Sequence, residues 1–406
     1  MNLDELLKKK MNAIRSNRKF YFGKEAGYFA GKLEDILHDI SQISDPEEGL
    51  KWIVRFFKLD KYVFEHADDS NGFFGGIYAM DATDLFIRFA RETKTKDKLI
   101  KILIELSEKN VYGASDELFD NLNQFLEKEH IEQLLEEMLA GERGITDEWE
   151  KFHWQVSISS VAYQLGDPVR YEQIKKTFHE VLPDSDYIDI ATLYYQNNNP
   201  EKSLEYLKRL SPDETFHDRR IGNLLVKLYQ KLGMQDELNE LIINRFKNAP
   251  MQENYELLVK SLGEQKSSEI FQQQNQSRVN RTEYMIEDLY FFEEFALWDE
   301  MEGYIKIHQH EINGEYYQFL HPLARKLEDQ KRYLPAIILY RRLLDGILNR
   351  SYYKGYSAAA RHLKKLEELA SKIDHWENVT SHQEYFHEIR EKHKRKTAFW
   401  KKVEGI

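Results

Sequence analysis

Apolar residues recur at three- and four-residue intervals along most of the 406-residue chain, the period of one face of an α-helix. From Leu3 to about Ile43 the pattern is helical, with a break around Phe20–Gly23. Gly27 and Gly31, four apart, offer a face that a neighbouring helix can approach closely. Asp45-Pro46-Glu47-Glu48 reads as a helix start, with Asp45 as N-cap and Pro46 in the first helical position. Leu50, Ile53, Val54 and Phe57 supply its buried stripe. The run Phe64-Glu65-His66-Ala67-Asp68-Asp69-Ser70-Asn71-Gly72 interrupts the period with residues that favour turns and caps. Helices are then expected from Phe74 toward Arg91, over Lys96–Glu108, and at about Asp116–Glu127, His130–Leu139 and Thr146–Gln164. A first domain ends near Gly141–Gly144.

Beyond that point the helices come in pairs. Ser185–Gln196 and Pro200–Leu210 are joined by Asn197-Asn198-Asn199, and Asp218–Leu232 and Gln235–Phe246 turn at Gly233. Gln252–Leu262 pairs with Glu264–Gln273, and Glu283–Glu294 with Trp298–His310. Glu315–Gln330 pairs with Tyr333–Asn349, and Gly355–Ser371 with Trp376–Lys392. The turns at Asn198 and Gly233 stand one period apart, Gly233 to Trp298 holds about two units, and the next turns, near Gln330 and Asp374, follow after 32 and 44 residues. A period of roughly 34–45 residues is the signature of helix-pair solenoids. One pair cannot bury its own apolar face, so neighbours must stack. The expected fold class is all-α: a tetratricopeptide-like solenoid of helical hairpins over residues 145–406, with a distinct N-terminal helical domain over residues 1–144.

Composition narrows the functional classes. The chain is 41% apolar and 32% charged with only 8 Pro and 19 Gly, which disfavours a disordered or collagen-like chain and a loop-rich β-sandwich. The absence of cysteine removes disulfides, thiolate nucleophiles, Cys-ligated zinc and iron–sulfur clusters together. Leu6 and Leu7 lead straight into Lys8, Lys9 and Lys10, which disfavours a secretory signal. No window approaches the roughly 20 apolar residues of a membrane helix, so the expected setting is the cytoplasm. A net charge of −12 argues against wholesale coating of nucleic acid.

Two segments carry a family resemblance. The Phe64–Gly72 run, the later Asn110-Val111-Tyr112-Gly113-Ala114-Ser115-Asp116, and the opening Ala13-Ile14-Arg15-Ser16 resemble an uncharacterised bacterial family, domain of unknown function 6880. Arg332-Tyr333-Leu334-Pro335-Ala336-Ile337-Ile338-Leu339-Tyr340-Arg341-Arg342-Leu343-Leu344, continuing to Ala358-Ala359-Ala360-Arg361-His362-Leu363, is similar to the tetratricopeptide-like tail of that family. It is also similar to the helical region that follows SWIM-type zinc fingers, but a chain without cysteine cannot inherit the finger's DNA role. The resemblance implies an all-α repeat fold and supplies no activity.

Candidate chemistry is sparse. Clustered carboxylates in Asp68-Asp69-Ser70-Asn71-Gly72 suit a hard cation, but the alternating ligand spacing and distal Glu of an EF-hand are missing. A helix-capping turn, with Asp69 or Ser70 meeting exposed N–H groups, explains the same residues. With Glu65 and His66 alongside, Glu65, His66, Asp68, Asp69 and Asn71 form the candidate binding surface. His308-Gln309-His310 reads as surface histidines, because residues two apart on a helix point in different directions. Lys8, Lys9, Lys10, Arg15, Arg18 and Lys19, interleaved with Phe20, Tyr21 and Phe22, could meet phosphates and stack on bases; a solvated basic face with inward aromatics explains them equally. Gly72-Phe73-Phe74-Gly75-Gly76 lacks a preceding strand and a phosphate-binding Lys, and reads as a packing turn. Tyr194, Tyr195, Tyr206, Tyr316, Tyr317, Tyr352, Tyr353 and Tyr356 are candidates for a contact face. No phosphate loop, nucleophile elbow or His-Glu-x-x-His spacing occurs. The sequence therefore favours a non-enzymatic scaffold that binds another, unidentified protein, with no catalytic residue, metal or cofactor assigned. Nucleic-acid binding through the basic N-terminal residues and the closing basic run Arg390, Lys392, Lys394, Arg395, Lys396, Lys401 and Lys402 is the first alternative, and a metal-dependent enzyme using the His66–Asp69 loop the second.

Overall fold

The computed structural model describes residues 2–142, 144–210, 219–279 and 281–405. Among them the secondary structure is helical throughout, apart from one isolated parallel bridge between Tyr21 and Ala67. The chain divides into two compact units, Met1–Gly233 and Met234–Ile406.

The first unit opens with α1 (Leu3–Arg15), α2 (Lys24–Ser41) and α3 (Pro46–Phe57). Asp45 caps α3 as its sequence indicates, accepting the Glu48 N–H at 2.8 Å, and Pro46 occupies the first turn. A π-helical turn over Ile77–Ala82 leads into α4 (Thr83–Glu92). There α3 and α4 cross closely: a Cβ on Gly49 would lie 2.2 Å from the Phe89 ring. Gly27 and Gly31 behave differently from expectation, because nothing lies within 4 Å of where their Cβ atoms would be. Their face of α2 is open, and Ala26, Phe29, Ala30 and Leu33 do the packing instead.

After α5 (Lys96–Glu108) the helix expected over Asp116–Glu127 breaks into a short turn, Asp116–Asp120, and a 3₁₀ turn, Leu122–Gln124. Asparagine side chains compete with the helical ladder here: Asn110 Oδ1 accepts the Ser115 N–H at 3.0 Å, and Asn121 Nδ2 donates to the Glu117 carbonyl at 2.8 Å. Helices α6 (Lys128–Glu142), α7 (Glu148–Gln164), α8 (Pro168–Phe178), α9 (Asp184–Gln196), α10 (Pro200–Leu207) and α11 (Arg219–Leu232) complete the unit, each packing on the next. Asp218, the expected start of α11, lies outside the described residues. Residue 144, the expected domain boundary, falls between α6 and α7, where the buried Trp154 indole donates to the Met138 carbonyl at 2.9 Å.

The second unit stacks helical hairpins: α12 (Gln235–Asn248) with α13 (Gln252–Leu262), then α14 (Glu264–Arg278), α15 (Met285–Glu294) with α16 (Trp298–Ile307), and α17 (Tyr317–Asp329) with α18 (Tyr333–Asn349) and α19 (Tyr356–Ala370). α20 (His382–Lys392) and α21 (Thr397–Glu404) close it. One device ends helix after helix in both units. Asn198, Ala296, Lys331 and Ser351 take positive φ, and the next N–H returns to the carbonyl five residues back, as Arg332 does to Leu327 at 2.8 Å. Asn198 to Gly233 and Ala296 to Lys331 each span about 35 residues, the helix-pair period read from the sequence. The left-handed residue of the Trp298 turn is Ala296, two positions earlier than expected.

Burial corrects three further readings. His308 is a core residue, 7% exposed, with its ring against Tyr304 and Nε2 3.2 Å from the Val279 carbonyl; only His310 is at the surface. Tyr194, Tyr206 and Tyr356 are buried and so cannot form a contact face, whereas Tyr316, Tyr317, Tyr352 and Tyr353 are exposed. Phe20 and Phe22 point outward while Tyr21 between them stacks on Phe29, as alternation in an extended segment requires.

Candidate binding cleft

The carboxylates of the Asp68–Gly72 loop act on the backbone. Asp69 accepts the N–H groups of Phe74 (2.7 Å) and Gly75 (3.0 Å), and Asp68 accepts from the Ser70 N–H (3.0 Å) and hydroxyl. The Ser70 bonds hold the Asp68 carboxyl below its usual range. Gly72 supplies the left-handed turn, φ +68°. Glu65 pairs with Lys61 at 3.9 Å, and His66 Nδ1 lies 3.0 Å from the Tyr62 carbonyl. Asn71 is exposed. Among the described residues no three His, Asp or Glu side chains gather where a metal ion could be held.

The basic N-terminal residues are partly spoken for. Lys8 pairs with Asp4 at 3.2 Å, Lys10 with Asp39, and Lys19 with Glu25 at 2.9 Å. Lys9 and Arg18 are exposed and Arg15 is half-buried.

Polar side chains also gather in a cleft of about 580 Å³ formed by α7, α8 and α9. Each helix contributes one stripe. Phe152, Val156, Ser159 and Tyr163 recur along α7, Tyr171 and Lys175 stand four apart on α8, and Asp186 and Asp189 three apart on α9, so each set shares a face. Local sequence fixes the helix starts. Asp147 accepts the Trp149 and Glu150 N–H groups at the head of α7, and Asp167 accepts those of Val169 and Arg170 ahead of Pro168 in α8.

At the cleft floor Lys175 Nζ lies 2.9 Å from Asp186 Oδ1 and 3.2 Å from the Ser159 hydroxyl, and the two charged side chains are 11% and 4% exposed. Asp186 Oδ2 is buried without a hydrogen-bond partner among the described residues. Tyr171 donates to Asp189 Oδ2 at 3.2 Å. Burial raises the Asp189 carboxyl, with Asp186 adding to the shift and Tyr171, Arg220 and Lys175 opposing it. Burial, then Asp189, pushes the Tyr171 phenol far above the usual range. With Asp120 also lining the cleft, three carboxylates share it with the Lys175 ammonium and the His179 imidazole, and the Arg220 guanidinium acts on Asp189 from outside the lining. At the rim Trp149 and Phe152, 60% and 52% exposed, stack with ring centroids 6.1 Å apart. The floor thus offers an unsatisfied acceptor, and the rim apolar area.

A chain of the Naa15/Naa10 assembly bound to HypK-THB aligns over 92% of this chain and 64% of its own length, at 12% identity and a TM-score of 0.31. This chain thus spans less than two thirds of that protein. A circular tandem repeat protein with novel repeat topology and enhanced subunit contact surfaces aligns over 100% and 98% at 14% identity and a TM-score of 0.20. No curated protein matches. Residues 3–180 and 154–402 match the sequence profile of a family of unknown function, so that between them nearly the whole chain is accounted for: it belongs to DUF6880.

Proposed function

We propose that the chain is a non-enzymatic helical-repeat scaffold that binds a partner protein, and that the α7–α9 cleft receives a basic side chain from an extended segment of that partner. The observation that carries this reading is the buried Asp186 Oδ2, which has no partner among the described residues, beneath an exposed aromatic rim. A buried unpaired acceptor carries a cost of about 1–3 kcal/mol, and an incoming donor removes it. A guanidinium or ammonium group matches the surplus of carboxylates, and its neighbours in the segment would cover Trp149 and Phe152.

The test is fluorescence polarisation with labelled peptides holding one Arg or Lys between apolar residues, compared with peptides in which that residue is Gln. Binding of the basic peptides, lost with Gln and weakened about tenfold or more by Asp186→Asn and by Phe152→Ala, supports the reading. Equal binding of basic and Gln peptides, or no binding, removes it.

A further inference from the structure

The second unit holds a cleft of opposite character. It measures about 480 Å³ and lies across α17, α18 and α19. From α17 come Tyr317, His321, Arg325, Glu328 and Asp329; from α18, Tyr340; from α19, Arg361, His362 and Lys365. The second turns of α17 and α19 bring two imidazoles together that the sequence holds far apart. The rings of His321 and His362 have centroids 5.4 Å apart, with Tyr340 5.4 Å and Tyr317 6.0 Å from His362. Tyr317 stacks on His321 at 5.1 Å with an interplanar angle of 15°.

The charges in this cleft are unevenly used. Glu328 accepts the Tyr340 hydroxyl at 2.5 Å and pairs with Lys365 at 3.3 Å, while Lys365 also reaches Glu368 at 2.9 Å. Asp329 is at the exposed rim. The guanidinium groups of Arg325 and Arg361 are left, among the described residues, with no hydrogen bond, ion pair or ring contact. His362 lines the same cleft, 4% exposed, and its buried Nε2 has no hydrogen-bond partner among the described residues.

We propose that this cleft is a binding site for a doubly charged oxyanion, and that the phosphoryl group of a small phosphate monoester is the chemistry it fits. Two free guanidinium groups present planar forks that match phosphate oxygens. His362, once protonated, adds a third cationic donor at the floor, and the Tyr317–His321 stack gives a flat apolar wall for the ester's organic part. The unliganded state agrees with this. Burial, with help from His321 and Arg361, lowers His362 to about 4, and burial with Arg325 and Arg361 lowers His321. Both imidazoles are therefore neutral near pH 7 in the free protein. A bound dianion would favour their charged forms, so binding takes up a proton and tightens as pH falls. Arg325, Arg361 and Lys365 oppose that uptake, while Glu328 and Asp329 assist it.

The experiment uses the whole chain with histidine side chains followed by NMR and binding by calorimetry. Sulfate is the first probe, because it stays dianionic across the range and isolates the protein's own protons; inorganic phosphate, phosphoserine and a nucleoside monophosphate follow. The expected result is saturable sulfate binding that strengthens at least threefold between pH 7.5 and 5.5, with the His362 titration moved up by about two units from its value of about 4 in the free protein. Arg325→Gln and Arg361→Gln, both exposed positions, should each weaken binding tenfold or more while the melting temperature stays put; Arg361→Lys should recover part of the loss. At least one ester should bind no more weakly than inorganic phosphate. The proposal is overturned by the absence of saturation at 10 mM sulfate, by unaltered binding in both Gln variants, by an unmoved His362, or by exclusion of every ester. The cleft belongs to the second unit, so its failure leaves the partner-binding reading of α7–α9 intact, and the reverse.

Discussion

Asp60 offers a quantitative check on how this chain tolerates buried charge. It is 7% exposed and, second to burial, raises the titration of the fully buried Tyr78, whose hydroxyl has no hydrogen-bond partner among the described residues. Burial raises its carboxyl to about 6, against weaker opposing help from the Lys61 N–H and ammonium. Because the folded state holds the proton more tightly than the unfolded chain, the stabilisation is complete below the unfolded value near 3.8. It declines as pH rises and is gone above about 6. A shift of this size corresponds to roughly 3 kcal/mol between the two limits. Asp60→Asn keeps the shape and removes the titration. At pH 8 the variant should therefore be more stable than the parent by about 2–3 kcal/mol, and at pH 4.5 the gap should shrink below about 1 kcal/mol. Thermal unfolding of the whole chain at both pH values reads this directly. For a unit this large the pH 8 gain corresponds to about 4–12 °C in the transition containing Trp52 and its neighbours. Equal stability of variant and parent at pH 8, or a gain that grows toward acid, would refute the reasoning.

Three further outcomes follow from the same structure. Lys175→Met strands the 4%-exposed Asp186 and should cost about 3 kcal/mol in urea unfolding, whereas Lys175→Met with Asp186→Leu should recover most of it, since replacing a buried pair entirely is often neutral. Gly314→Ala would place a Cβ 1.8 Å from the Arg342 carbonyl oxygen; the loop must retreat from α18, loosening the 2.6 Å bond from Arg342 Nε to the Ile312 carbonyl, at a cost of about 2 kcal/mol or more by denaturant titration. A fragment ending at residue 144 loses Trp154 from its bond to Met138, and should melt without the cooperativity of a fragment ending at 233; a sharp melt of the shorter piece would instead favour a domain boundary at 144.

Much of the fold was legible because it is written locally. The spans Lys96–Glu108 and Tyr333–Asn349 match the sequence reading residue for residue, and Asp45-Pro46 announces α3. Helix α8 was passed over, although Asp167-Pro168 carries the same start signal as Asp45-Pro46. Its apolar stripe is thin, since Tyr171 and Ile174 alone are buried beyond Pro168. That omission hid the cleft: without Lys175 opposite them, Asp186 and Asp189 look like a solvated acidic face. The oxyanion cleft was illegible for a different reason. His321 and His362 sit on separate helices, and only the stacking of α17, α18 and α19 makes them neighbours. Spacing along one helix carries no record of that. The Asp68–Gly72 loop shows the converse, where turn-forming chemistry was plain in the sequence and the structure gives Asp69 a capping role.

The proposed partner binding rests on α7, α8 and α9 presenting an acceptor to a basic segment. Hydrogen exchange of the intact chain, with and without a saturating Arg-containing peptide, locates that contact. Added protection should centre on Phe152–Tyr163, Tyr171–Phe178 and Asp186–Asp189, and vanish in Asp186→Asn. Protection that falls on other helices, or that survives the substitution unchanged, would contradict the account.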